Sequence, residues 1–238
     1  MIKSWSMSRL KEFEECPYRA LLLYGPNKLP VQSSQERDEI LARGTEWHGW
    51  AENFVLGKIA LPEGLLPYKN LLSEYRDTIE MYPKHTWVET KWCLDNDLKS
   101  TGYYDDDAWA RFGADYCHYN PELAILSITD YKTGKRTGKE VVHLQQLIAY
   151  GCAAKHIFPF PIEAYDLYAV YFDSTNTKPF HRRFNKEAIT NMEQKLWHRG
   201  LCMTTATEFP AKPNAWNCRY CPFSSNNSNE CPHSPDFM

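Results

Sequence analysis

At 238 residues, with 43% hydrophobic and 14% aromatic side chains, the chain has enough apolar material for a packed core and falls outside the disordered class. A formal net charge of -3 weighs against broad phosphate binding but leaves room for a local basic groove. The sequence has no apolar run of membrane-spanning length and no apolar leader within Met1 to Arg9, so a cytoplasmic protein is expected.

In chain order, Ser6 or Ser8 can cap a first helix carrying Leu10, Phe13 and Tyr18, interrupted at Cys16-Pro17. A polar stretch, Gln32 to Asp38, precedes a second helix over about 39–57. Its apolar stripe is Ile40, Leu41, Trp47, Ala51, Phe54 and Val55, with His48 on the edge. A third helix is expected over about 65–82, ending before Pro83. The pattern then turns to strands. Residues 86–94 alternate with period two, which places Trp87, Glu89, Lys91 and Cys93 on one face. Strands at 108–118 and 123–132 flank an Asn120-Pro121-Glu122 turn. A helix over about 139–158 follows, then strands at 165–172 and 180–184 around a turn at Ser174 to Thr177. Asn185 caps a last helix through about Cys202, and the tail from Thr204 is dense in Pro, Asn and Ser. This order predicts an α/β or α+β domain around a mixed sheet. The organisation expected is one domain over 1–238: a helical part to about 84, a core to about 202, and the tail.

The most chemical segment is Asp130-Tyr131-Lys132-Thr133-Gly134-Lys135. Alternation puts Asp130 and Lys132 on one face, and the turn at Pro121 brings Asp115 close to them. Asp115 lies six residues before that proline and Asp130 nine after it, so a bulge is expected to absorb the mismatch. Two carboxylates suit Mg²⁺ or Mn²⁺, which lower the pKa of a bound water, while a lysine adds positive charge at a phosphate. Glu89 sits mid-strand, where a buried carboxylate needs a partner or a metal. Gln146 and Tyr150 share one helix face beside the basic run Lys132, Lys135, Arg136 and Lys139. Arg182-Arg183 form a second basic spot.

Eight cysteines without an export signal argue against disulfides. Cys93, Cys117, Cys152 and Cys202 read as small buried side chains. Cys16, Cys218, Cys221 and Cys231 sit in polar or turn-like surroundings, three of them beside proline. Four thiolates can hold a [4Fe–4S] cluster or a structural Zn²⁺. Nine residues separate Cys221 from Cys231, and the segment from Phe223 to Glu230 reads as a flexible loop, so His233 is an alternative ligand.

Together these residues resemble the RecB-type branch of the PD-(D/E)XK nucleases, in particular the free-standing CRISPR-associated RecB-like exonucleases and their phage relatives. The resemblance rests on Ser6 to Pro17, Gly44-Thr-Glu-Trp-His48, Gly113-Ala-Asp115, Asp130-Tyr-Lys132-Thr-Gly, Gln146-Leu-Ile-Ala-Tyr150 and Cys218-Arg-Tyr-Cys221-Pro-Phe, in that order. It implies a restriction-endonuclease-like core whose N- and C-terminal parts are joined by a cysteine-ligated cluster. His48, Asp115, Asp130 and the Tyr131 carbonyl would hold Mg²⁺ or Mn²⁺, Lys132 would be the catalytic lysine, and Glu89 an upstream supporting acid. Gln146, Tyr150, Lys135 and Arg136 would position DNA. Cys16, Cys218, Cys221 and Cys231 would hold the cluster, for which the resemblance favours iron–sulfur. The implied activity is DNA exonuclease action on single-stranded or frayed ends, alone or with a recombination or CRISPR-adaptation partner; a metal-stapled DNA-binding module without catalysis is the alternative.

Overall fold

A computed structural model of the chain describes residues 1–31, 35–134, 136–172 and 176–235. Ser6 caps α1 (Met7–Glu15), its hydroxyl accepting from the Arg9 N–H at 3.5 Å. Cys16 breaks the helical path, and Pro17, whose missing N–H costs nothing in a first turn, opens α2 (Pro17–Tyr24). After α3 (Gln35–Val55), the expected third helix is split by Pro67 into a 3-10 turn, Glu63–Tyr68, and α4 (Lys69–Met81).

The sheet is built from β1 (Thr86–Leu94), β2 (Ala110–Asn120), β3 (Ile125–Lys132), β4 (Ala164–Tyr171) and β5 (Phe180–Asn185), side by side in that order. Only β3 and β4 run parallel, because α5 (Glu140–Ile157) carries the chain back between them. Asn185 caps α6 (Lys186–Thr204) through the Ala188 N–H at 2.8 Å. Of the turn expected at Ser174 to Thr177, residues 174 and 175 lie outside the described residues. The tail is less formless than its composition implies, for it contains a short α7 (Ala215–Arg219) capped by Asn214. No helix among the described residues is long and apolar enough to cross a membrane.

Two apolar layers cover the sheet. Ala51, Phe54 and Val55 of α3 and Leu72 and Tyr75 of α4 pack with Tyr116, Tyr131 and Val170 on one face. On the other, Leu147 and Ala153 of α5 and Ile189 and Leu196 of α6 meet Leu126, Ile128 and Leu167. Glu193 ties the two outer helices together by accepting from Lys155, His156 and the Trp197 indole. Cys93, Cys117 and Cys152 are buried as expected, but Cys202 is exposed at the end of α6, beside His198 at 3.5 Å. The residue falls on the solvent side of the helix, while the core side at that end is taken by Gly200 and Met203.

Trp5 is the wedge that fixes the start of the chain. It is fully buried, edge-on to Trp109 and Phe112 at 5.6 Å and to Trp197 at 5.8 Å. Its backbone pairs with β2 through Trp5 N–H to Trp109 O and Arg111 N–H to Trp5 O. Gly200 leaves the space for the indole: a Cβ there would lie 2.4 Å from Trp5 Nε1. Gly200→Ala is therefore expected to destabilise the protein by about 1–3 kcal/mol through overpacking, although alanine is the better helix former. Urea unfolding measures this, and an unchanged or higher midpoint would contradict the packing described.

Candidate metal centre

The centre forms where two strands part. The β2–β3 ladder runs only from Asn120–Ile125 to Tyr116–Thr129. The connecting turn occupies 121–124, with the Asn120 side chain accepting from the N–H groups of Glu122 and Leu123. Its centre lies between Glu122 and Leu123 rather than at Pro121. Asp115 and Asp130 are therefore the next positions across from each other, and the expected bulge is not needed. At this step the backbone ladder stops and the Asp115 carboxylate takes over, its Oδ2 accepting from the Tyr131 N–H. β3 continues along β4, pairing Asp130 with Ala169 and Lys132 with Tyr171, while β2 continues along β1.

A second irregularity faces the fork. Val88 pairs with Tyr116 and Thr90 with Ala114, which leaves Glu89 and Asp115 between the paired positions. Trp87 and Trp92 are five residues apart, yet both pack on Phe158, at 4.6 and 5.4 Å. On β2, Ala114 and Cys117, three apart, share one core. Odd spacings on one face mean that both strands turn over at this point. The expectation that Trp87, Glu89, Lys91 and Cys93 share a face is thereby corrected. Glu89 makes the inversion possible with a φ of 48°, a left-handed conformation costly for a residue with a Cβ.

His48 arrives from α3. Gly44, one turn earlier, lets the helix come close to the end of β3, where a Cβ would be 3.1 Å from Thr133 Oγ1. The next turn then sets His48 Nδ1 3.2 Å from Asp115 Oδ1. Ligand atoms of His48, Glu89 and Asp115 all lie within 4.8 Å of one another. Ile40 and Leu41, expected in the core stripe, are instead exposed and border the opening beside His48 and Glu89. At that level α3 has no sheet beneath it, only the mouth of the fork.

Electrostatics mark the cluster as overcrowded with negative charge. Partial burial, then the neighbouring Asp115 and Glu52 carboxylates, push the Glu89 carboxyl up to about 7, although it retains contact with solvent. Burial alone would lower the His48 imidazolium, but the hydrogen bond and charge of Asp115, aided by Asp130 and Glu89, raise it above its ordinary value. Opposed carboxylates of this kind hold a proton until a cation takes its place.

Asp130 borders this trio but faces α5. Its Oδ1 accepts from the Tyr150 hydroxyl at 3.1 Å and from Gln146 Nε2 at 3.3 Å, and Lys132 forms an ion pair with Oδ2. Burial pushes the Asp130 carboxyl up to about 6 against the pull of Lys132. Gln146 Oε1 accepts from Lys132 Nζ at 2.8 Å, so the amide fixes both members of the pair. His143, missed in the sequence, completes this wall. It follows from the same helical spacing, lying three residues before Gln146 and seven before Tyr150. Its Nδ1 contacts the Tyr171 hydroxyl at 2.8 Å, and burial with Lys132 and Lys139 lowers it to about 4. The Tyr131 main chain enters the centre through its N–H. Arg136 turns aside to Glu140, the Lys178 carbonyl and Phe180. Lys135 lies outside the described residues. Arg183 is bound bidentately by Asp166, and Arg182 lies over Phe180, both at the surface of β5.

The remaining four cysteines gather elsewhere. Cys16, Cys218, Cys221 and Cys231 line one small cavity with His233 and Arg19. The segment expected as a flexible loop is folded: Phe223 is fully buried, Ser224 nearly so, and the Cys231 N–H donates to Phe223 O at 2.8 Å. This turn absorbs the long gap and brings Cys231 back. His233 packs edge-on against Tyr18 at 5.0 Å. Burial, with Cys231 and Cys16 nearby, raises the Cys221 thiol against the opposing charge of Arg19.

A mixed sheet between helices thus carries closely set acids and a lysine at a parting of its strands. Residues 4–111 and 122–226 match the PD-(D/E)XK nuclease superfamily, and the chain belongs to it. No curated protein matches the chain. Among solved structures, the crystal structure of SSO0001 aligns over 98% of this chain and 88% of that one, at 15% identity and a TM-score of 0.42. Nucleases of this superfamily typically use Mg²⁺ or Mn²⁺, and an imidazole with closely set carboxylates is a donor set suited to such cations, Mn²⁺ especially.

Glu89 stores strain for the sake of this cluster. Glu89→Gly is expected to raise the stability of the metal-free protein by about 1 kcal/mol, by relieving the left-handed conformation and one crowded charge. The same change is expected to weaken Mn²⁺ binding in calorimetry. A destabilised variant that binds Mn²⁺ as the parent does would contradict both statements.

Proposed function

We propose that this protein is a metal-dependent DNA exonuclease of the RecB-type, iron–sulfur branch, hydrolysing phosphodiester bonds from single-stranded or frayed ends. The observation that carries the reading is the pairing of the His48–Glu89–Asp115 trio with the Asp130–Lys132 pair across the fork. His48, Glu89, Asp115 and Asp130 would hold Mg²⁺ or Mn²⁺, with the Tyr131 carbonyl as a further ligand; bound there, the cation supplies Lewis acidity and a more acidic water. Lys132 Nζ, held by Gln146, orients the attacking water and offsets charge that grows on the phosphate. Tyr150 and Gln146 keep the Asp130 carboxylate aimed while β3 and β4 hold its backbone. The neutral His143 can donate to a phosphate oxygen without adding a charge that would repel the cation.

In this reading the single domain has a helical part, a nuclease core and a cysteine tail. Convergence of four thiols from chain segments about 200 residues apart supports a [4Fe–4S] cluster, with structural Zn²⁺ as the alternative for the same donors. DNA recombination, repair or phage DNA processing would use such an activity, alone or beside a recombination or CRISPR-adaptation partner.

End-labelled single- and double-stranded DNA incubated with Mn²⁺, Mg²⁺ or EDTA tests the activity, with ladder-like, EDTA-sensitive digestion expected. Lys132→Ala is expected to lower kcat by at least about a hundredfold while leaving DNA binding near the parent value. Full activity in that variant would remove lysine from the mechanism. For the tail, Cys218→Ser is expected to abolish visible iron–sulfur absorbance in anaerobically purified protein and to lower the melting temperature. Unchanged absorbance and melting would rule out a structural cluster at this place.

A further inference from the structure

A groove of about 430 Å³ opens from the α5 side of the centre. Lys132, Gln146 and Tyr150 belong to its wall, and so do Tyr103 and Arg111, which have no part in the chemistry described above. Around Arg111 the side chains are basic and aromatic. Arg111 and Arg9 both bond the Ser4 hydroxyl, at 3.2 and 2.9 Å, and neither forms an ion pair among the described residues. Lys91 lies over the rings of Tyr103 and Tyr104, at 5.7 and 5.8 Å, and Arg111 lies over Tyr103 at 5.7 Å. Tyr104 is 79% exposed, and its hydroxyl accepts from Lys91 Nζ at 3.5 Å. The loop also carries exposed acids: Asp105 and Asp107 are held by the Thr101 hydroxyl, and Asp106 is exposed beside them. Glu14, on the groove wall, is held by Arg199.

A groove that begins at a phosphodiester-cutting centre and ends in cations without an ion pair among the described residues, beside one half-buried and one exposed ring, has the two components of a single-strand site. The cations meet the backbone, and the rings accept the faces of unpaired bases whatever their sequence. Paired bases have their faces covered by neighbours, so a duplex could not use the rings. We propose that Tyr103 and Tyr104, with Lys91 and Arg111, form a base-stacking subsite for the single strand whose phosphodiester lies at Lys132. This rests on the nuclease reading of the centre and assigns the preference for unpaired DNA to the loop between β1 and β2.

The test is fluorescence anisotropy with a labelled oligothymidylate in Ca²⁺, and with an abasic strand of the same length and charge. Binding does not require turnover, so it is separate from the nuclease reading, which cleavage of the same oligothymidylate in Mn²⁺ decides. Tyr103→Ala/Tyr104→Ala is expected to raise the Kd for oligothymidylate about tenfold, with a much smaller change for the abasic strand. Tyr103→Phe/Tyr104→Phe is expected to restore binding, because the ring faces remain. Tyr104→Ala alone, at an exposed position, provides a variant with no folding burden and a smaller loss. The proposal is overturned if the double alanine variant binds oligothymidylate as the parent does, if both strands weaken equally, or if the parent fails to bind oligothymidylate.

Discussion

The parting of β2 and β3 after Tyr116–Thr129 is the constraint on which the rest of the centre depends. Strands that separate leave backbone groups without partners, and a buried N–H without an acceptor is costly. Asp115 settles that debt for Tyr131 with one carboxylate oxygen and meets His48 with the other. One side chain thus holds the fork open and joins the cluster within it. The two neighbouring helices are adapted to the same gap. α3 approaches at a glycine so that an imidazole reaches in, and α5 supplies an amide and a phenol that fill the opposite wall.

The apolar layers on either side make this affordable in structural terms. Glu89, Asp115 and Asp130 crowd like charges into a partly dehydrated space, and Glu89 does so from an unfavourable backbone conformation. Such an arrangement persists only where the surroundings over-determine it. Here Tyr75 stacked on Tyr116 at 4.1 Å lies on one side of the fork, and Trp92 and Phe112 packed about Tyr150 lie on the other. These aromatic contacts fix β2, which carries Asp115, and α5, whose Tyr150 holds Asp130.

Much of this was legible in the sequence because it depends on local spacing. Alternation is enough to put Asp130 beside Lys132, and helical spacing is enough to put Gln146 beside Tyr150. The helix caps at Ser6 and Asn185 were equally plain, since one side chain and one backbone N–H decide them. What could not be read was the turning over of β1 and β2 at Glu89 and Asp115, for alternation assumes a strand that keeps its faces. That is why Glu89 looked like a secondary acid, while the fold sets its carboxylate within 4.8 Å of ligand atoms of His48 and Asp115. Ile40 and Leu41 failed for a related reason: a hydrophobic stripe is drawn on the assumption that the helix has something beneath its whole length. The gap between Cys221 and Cys231 was a matter of turn geometry, which polar composition alone does not reveal.

The hydrogen bonds that fasten the tail to α1 join residues 198 and 202 apart in sequence: Lys212 Nζ donates to the Glu14 carbonyl, and Asn217 Nδ2 to that of Glu15. During synthesis, residues 14 and 15 must wait for about 200 further residues before these partners exist. Cys16 meets the same delay before its cavity can close. The strands that carry the carboxylates all precede the tail in sequence, so this clasp can close only after residues 212–231 have been made.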